Sequence, residues 1–251
     1  MRKIADQSIL ITGGGSGLGE ATARYLAGTG AKVTISGRRA DKVRAVADDV
    51  GCAWVSGDVT NAADRQAMID AAIVHGGKLD ALFNNAGNML RGSIEHLNEQ
   101  ALLDIFHTNV IGAMMLTGLA TPHLSETSGA VLFVGSVHTK RSFPGASPYA
   151  ATKGAVQVLT QVLAAELGAK GIRVNCIIPG GVLTEINVRA GLLSNAEAAQ
   201  RFTEMAGLQA MDRLGEPDDI AQAVEYLLRA DWTTGAILDV DGGMGLGVTR
   251  A

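Results

Sequence analysis

Seven short, continuously apolar runs alternate along this chain with longer segments whose apolar residues recur every third or fourth position, and that alternation leaves few folds open. The runs are SILIT (8–12), KVTIS (32–36), CAWVS (52–56), LDALFN (79–84), AVLFVG (130–135), IRVNCII (172–178) and AILDV (236–240). A strand that is apolar at successive positions is buried on both faces, which is the habit of parallel sheets. The intervening segments LGEATARYLAG, ADRQAMIDAAIVH, AATKGAVQVLTQVLAAEL and PDDIAQAVEYLLR have helical spacing and one apolar stripe. Right-handed crossovers then predict an α/β fold, a doubly wound seven-stranded parallel sheet with helices on both faces. Such sheets bind ligands beyond the carboxyl ends of their strands, at the switch point.

At 251 residues and 47% hydrophobic, the chain can bury a substantial core, and no Pro/Ser-rich linker or charge block divides it, so one domain over 1–251 is expected. A net charge of −4 with scattered signs speaks against nucleic acid or a polybasic membrane patch. The N-terminus lacks an apolar signal core, and no apolar run approaches the ~20 residues of a membrane span, so a cytoplasmic protein with no membrane partner is expected. Cys52 and Cys176 read as buried free thiols, and the five histidines show no ligand spacing, so no metal site is expected.

Attention therefore falls on the strand ends. The first run leads into TGGGSGLGE, residues 12–20, where Gly13, Gly17 and Gly19 follow G-x-x-x-G-x-G rather than the common G-x-G-x-x-G. Either spacing permits a tight strand-to-helix turn and offers unpaired helix N–H groups to a pyrophosphate. After the second run, where NAD-binding folds carry an acidic residue for the ribose, this chain has Gly37 followed by Arg38 and Arg39. A guanidinium there suits a 2′-phosphate, so NADP is favoured, with NAD as the alternative. Asp58 and Val59 follow the third run and can bracket an adenine; residues 84–87, Asn-Asn-Ala-Gly, end the fourth. Finally, SPYAATKGAV (147–156) starts a helix, with Pro148 at its first position and Ser147 as its cap, and places Tyr149 and Lys153 on one face. An ammonium beside a phenol is expected to lower a pKa ordinarily near ~10.

Taken together these motifs resemble the short-chain dehydrogenase/reductase family in its ordinary form of roughly 250 residues, over nearly the whole chain. The resemblance implies a single Rossmann-fold domain and carries the family's catalytic serine onto Ser136, its Y-x-x-x-K onto Tyr149 and Lys153, and its asparagine onto Asn109 in HTNVIG. It implies that Tyr149 is the general acid and base, that Lys153 tunes it and binds the nicotinamide ribose, that Ser136 hydrogen-bonds the substrate oxygen, and that Asn109 holds a water of a proton relay. Cofactor contacts implied are Gly13, Ser16, Gly17, Leu18, Gly19, Arg38, Asp58, Val59, Asn85, Ala86, Gly87, Tyr149 and Lys153. Pro179, Gly180, Val182 and Thr184 follow from the P-G-x-x-x-T segment, and RLGEPDDIA and DVDGG resemble the C-terminal landmarks. A homotetramer is implied by the resemblance alone.

The substrate is expected to be a small carbonyl compound or alcohol, covered by a lid at about 183–213. In it, Ile186, Leu192, Leu193, Phe202 and Met205 can line a pocket or pack the lid down. His138, Arg141 and Arg91 lie on loops near the site, as solvated residues or as ligands for a hydroxylated or anionic group. Two other functions stay open: a 3-oxoacyl thioester reductase taking an acyl carrier protein, and a nucleotide sensor without turnover.

Overall fold

The computed structural model describes residues 1–184, 186, 191, 194 and 204–247. Its seven strands form one all-parallel sheet in the order β3-β2-β1-β4-β5-β6-β7. They are β1 (Ser8–Thr12), β2 (Lys32–Gly37), β3 (Ala53–Ser56), β4 (Ala81–Asn84), β5 (Ala130–Val134), β6 (Arg173–Pro179) and β7 (Ile237–Val240). Each falls on its predicted run, with ends displaced by at most two residues. The helices lying wholly among the described residues include α1 (Gly17–Gly28), α2 (Ala40–Val50), α3 (Ala62–Gly76), α4 (Glu99–Phe106), α5 (Gly112–Thr127), α6 (Ser147–Gly168) and α7 (Pro217–Arg229).

Alternation within each strand explains why the runs are apolar throughout. Leu10, Leu82, Val131 and Phe133 point into one core layer with α3, α5 and α6. Their neighbours Ile9, Ile11, Ala81, Phe83, Ala130 and Leu132 point into the other, with α1, α2 and α7. A sheet covered on both sides has no solvent face on which to place polar residues.

The strand order reverses between β1 and β4, and there the chain departs to opposite sides and leaves a crevice. Its floor is stitched by Thr12 and Asn85. The Thr12 hydroxyl accepts the backbone N–H groups of Asn85 and Ala86 at 3.1 and 3.0 Å, and the Asn85 amide donates to the Thr12 and Gly13 carbonyls. Asn85 thus fastens two strand ends together, while Asn84 donates to the Thr117 hydroxyl of α5.

Between α4 and α5, residues His107–Ile111 form a π turn, so the helix runs on from Glu99 to Thr127, 29 residues in all. Among the described residues this is the one helix long and apolar enough by length and composition to cross a bilayer, although no single apolar run within it approaches that length. In this fold its Leu116, Ala120 and Leu124 are buried against the sheet. At the start of α6 the expected cap is displaced: Ala146 holds the cap position and Ser147 is the first helical residue, followed by Pro148. Of the expected lid, Leu192, Leu193 and Phe202 lie outside the described residues.

Phe83 is fully buried at the centre of the sheet, between β1 and β5. Phe83→Ala is expected to destabilise the protein by about 3–5 kcal/mol. Urea unfolding should show the loss as a lower midpoint with an unchanged slope.

Candidate active site

At the end of β1 the chain turns so sharply that Gly13 and Gly17 take φ of +69° and +58°. A Cβ on Gly19 would lie 2.4 Å from the Gly13 carbonyl oxygen, and one on Gly13 would lie 3.0 Å from the Ala86 Cα. Only glycine lets the loop press this closely against the end of β4. Ser16 stands at the N-cap of α1 without a side-chain capping bond, so the first-turn N–H groups face the crevice with the helix dipole behind them. That cradle fits a dinucleotide pyrophosphate. Thr184 stands over it, its Cβ 3.6 Å from where a Cβ on Gly17 would be.

Two cavities meet over Gly13, Ser16 and residues 86–88. The adenosine-side cavity is lined by Gly37, Arg38, Arg39, Lys42, Asp58 and Val59, with Asn88 and Thr108. Arg38 reaches across it to within 3.8 Å of the Asp58 carboxylate and 3.5 Å of Asn88 Oδ1, and Arg39 bonds the Ser16 hydroxyl at 3.2 Å. Asp58 also closes a turn by accepting from the Thr60 amide and hydroxyl. Lys42, Asn88 and Thr108 were not singled out from the sequence. Lys42 reaches the cavity from the first turn of α2, just after the Arg38–Arg39 pair.

The second cavity brings together Ser136, Tyr149 and Lys153 with Leu18, Asn85, Pro179, Gly180, Val182, Ile186 and Met205. Ser136 lies two residues past the end of β5 and caps the short turn Val137–Thr139. Tyr149 and Lys153 lie one turn apart on α6, with the Lys153 Nζ 5.5 Å from the Tyr149 ring centre. The ammonium donates to the Val134 carbonyl at 2.8 Å. Asn109 lies behind, in the π turn. Its amide donates to Asn88 O and the Thr152 hydroxyl, both at 3.0 Å, and its Oδ1 accepts from Asn88 N at 2.8 Å. A Cβ on Gly87 would lie 3.2 Å from that Oδ1 and 3.7 Å from the Lys153 Nζ, so the glycine keeps this end of the crevice open. Arg141, weighed as a substrate ligand, instead donates to the Leu208 and Met244 carbonyls.

The electrostatics differ from the expectation drawn from spacing. Burial pushes the Tyr149 phenol up to about 12, outweighing the Ser136 hydrogen bond and the Arg91 charge that draw it down. Burial also lowers Lys153 to about 8. Adjacency of an ammonium does not lower the phenol here, because desolvation opposes charge on both groups.

The fold is a doubly wound parallel sheet whose switch-point crevice carries a glycine cradle that fits a dinucleotide. A family model described as "Enoyl-(Acyl carrier protein) reductase" matches residues 13–245. The chain is 36% identical to an uncharacterized oxidoreductase of Methylorubrum extorquens, over 97% of this chain and 100% of the relative. It is 33% identical to the L-fucose dehydrogenase of Bos taurus, over 99% and 93% respectively. A crystal structure of 3-ketoacyl-(acyl-carrier-protein) reductase from Brucella melitensis complexed with NADH superposes with a TM-score of 0.87 at 32% identity, covering 96% of this chain and 99% of that one. The chain belongs to the short-chain dehydrogenase/reductase family and is an oxidoreductase that works with a nicotinamide cofactor on a small-molecule substrate.

Lys153 yields a prediction with a fixed sign. Its proton affinity is lower folded than unfolded, so below pH 8 the buried charge costs stability, and the cost is relieved as pH rises from about 8. Lys153→Met is expected to be more stable than the parent at pH 7 by on the order of 2–3 kcal/mol. The difference should shrink toward pH 10, as read by urea unfolding at both pH values.

Proposed function

We propose that the protein interconverts a ketone or aldehyde with the corresponding alcohol, Tyr149 acting as general acid in reduction and general base in oxidation. The observation that carries this reading is the convergence of Ser136, Tyr149 and Lys153 on one buried crevice beside the glycine cradle. The nicotinamide, when bound, supplies or accepts the hydride. Tyr149 manages the proton: its raised pKa keeps the phenol protonated at neutral pH, ready to give the proton to a developing alkoxide, itself strongly basic. Ser136 donates a hydrogen bond to the same oxygen and stabilises the charge that builds there. Lys153 holds a positive charge near that oxygen and binds the nicotinamide ribose hydroxyls. Asn109 anchors the α4–α5 turn against Asn88 and Thr152 and serves the proton relay behind Lys153.

NADP is the proposed cofactor, with NAD as the alternative. Supporting it are the missing acidic residue after β2 and the three cations, Arg38, Arg39 and Lys42, on the adenosine cavity. The cofactor contacts proposed are Gly13, Ser16, Gly17, Leu18, Gly19, Arg38, Asp58, Val59, Asn85, Ala86, Gly87, Tyr149, Lys153, Pro179, Gly180, Val182 and Thr184. The chain is proposed to act as one cytoplasmic domain with a substrate lid at about 183–213. An exposed apolar row on the Glu99–Thr127 helix, Leu103, Ile111, Met114, Met115 and Leu119, supports a homo-oligomer, a tetramer by resemblance. The likeness to a 3-ketoacyl-(acyl-carrier-protein) reductase favours a second reading, reduction of a 3-oxoacyl thioester. Comparing turnover of an acyl carrier thioester with that of a free ketone separates the two.

Tyr149→Phe is expected to abolish turnover in a carbonyl-reduction screen while leaving NADPH binding within about twofold, because it removes the proton and little else. Retained turnover would refute the assigned acid. Arg38→Ala is expected to weaken NADPH more than NADH by about 1.5–3 kcal/mol, measured by calorimetric titration, and equal losses would remove Arg38 from phosphate recognition.

A further inference from the structure

His138 is unused by the reading above, yet it contacts both Ser136 and Tyr149. Its Nδ1 lies 3.0 Å from the Ser136 Oγ and its Nε2 lies 3.4 Å from an Arg91 guanidinium nitrogen. Its ring is clamped, 4.6 Å from Phe143 and edge-on at 5.3 Å to Tyr149, and it lines the same cavity as Ser136 and Tyr149.

We infer that His138, polarised by Arg91, is a positioning residue that aims the Ser136 hydroxyl proton into the cavity. The inference rests on the carbonyl reading for its purpose and on geometry for its content. A guanidinium can only donate, so the His138 Nε2 that faces it must accept. A neutral imidazole accepting at Nε2 carries its proton on Nδ1, and that N–H then donates to the Ser136 Oγ. The same oxygen also accepts the His138 backbone N–H, at 3.3 Å. With both lone pairs of Oγ engaged by one residue, the hydroxyl proton is left to point away from His138, toward Tyr149 and the reacting oxygen. In the opposite tautomer Ser136 would donate to Nδ1 and present the substrate oxygen with a lone pair. Arg91 therefore sets the direction of donation along Arg91, His138 and Ser136.

The tautomer can be read directly from long-range proton–nitrogen correlation spectra of the imidazole, at pH 8 without added nucleotide or substrate. His138→Gln identifies the signals by their loss. The expected result is a neutral ring protonated at Nδ1, with the ratio of the Nδ1–H to the Nε2–H form falling about tenfold in Arg91→Met, as loss of a charge-assisted bond requires. A parent ring protonated at Nε2, a charged ring at pH 8, or an unchanged ratio in Arg91→Met would each overturn the inference. The parent spectrum decides even where Arg91→Met fails to fold. The readout needs no turnover, so failure of the carbonyl reading and failure of this inference are told apart.

Discussion

The site is organised around a buried positive charge. Lys153 gives its hydrogen bond to the Val134 carbonyl at the end of β5, and burial alone brings its pKa down to about 8. An ammonium so placed costs stability and is retained because of what surrounds it. Tyr149 stands one helical turn away, Gly87 leaves its side open, and Asn109 closes the rear through Asn88 and Thr152. The same dehydration raises the phenol and lowers the amine, shifting each group toward its neutral form while Lys153 stays charged below about pH 8. Charge introduced into this crevice is felt strongly, because little water screens it.

That pair would be unplaced without the sheet. Tyr149 and Lys153 belong to α6, Ser136 to the turn just past β5, the glycine cradle to the β1–α1 turn, and Asn109 to a helix between β4 and β5. These elements converge because strands β1, β4, β5 and β6 are adjacent and parallel, so all their carboxyl ends open on one edge. The Thr12–Asn85 stitch holds two of those ends together where the connections diverge. The π turn at His107–Ile111 adds one residue to a helical turn at the point where Asn109 must face inward, as such turns often do at functional sites.

Much of this was legible in the chain. The seven strands were read from apolar continuity, because burial on both faces leaves an unbroken signature, and the glycine cradle was read from spacing, because no other residue tolerates those contacts. Sequence distance also placed Tyr149 and Lys153 on one helical face. It could not give their burial, so the sign of the Tyr149 shift was misjudged: adjacency is local, whereas desolvation is set by the whole fold. The π turn was invisible in HTNVIG, since one extra residue in a helix alters hydrogen-bond pairing without altering composition. Arg141, which as a loop residue was weighed as a ligand, ties down the Leu208 and Met244 carbonyls, and Lys42 joined Arg38 only once α2 had a defined start.

The central claim is that dehydration, rather than the neighbouring ammonium, governs the Tyr149 proton. It is tested most directly by following the Cζ resonance of carbon-13-labelled tyrosine as pH is raised in the protein without added nucleotide, with Tyr149→Phe identifying the signal. The account predicts that Tyr149 stays a phenol through pH 10, consistent with a pKa of about 12. A phenolate transition for Tyr149 below about pH 9, under the ordinary value near 10, would contradict it.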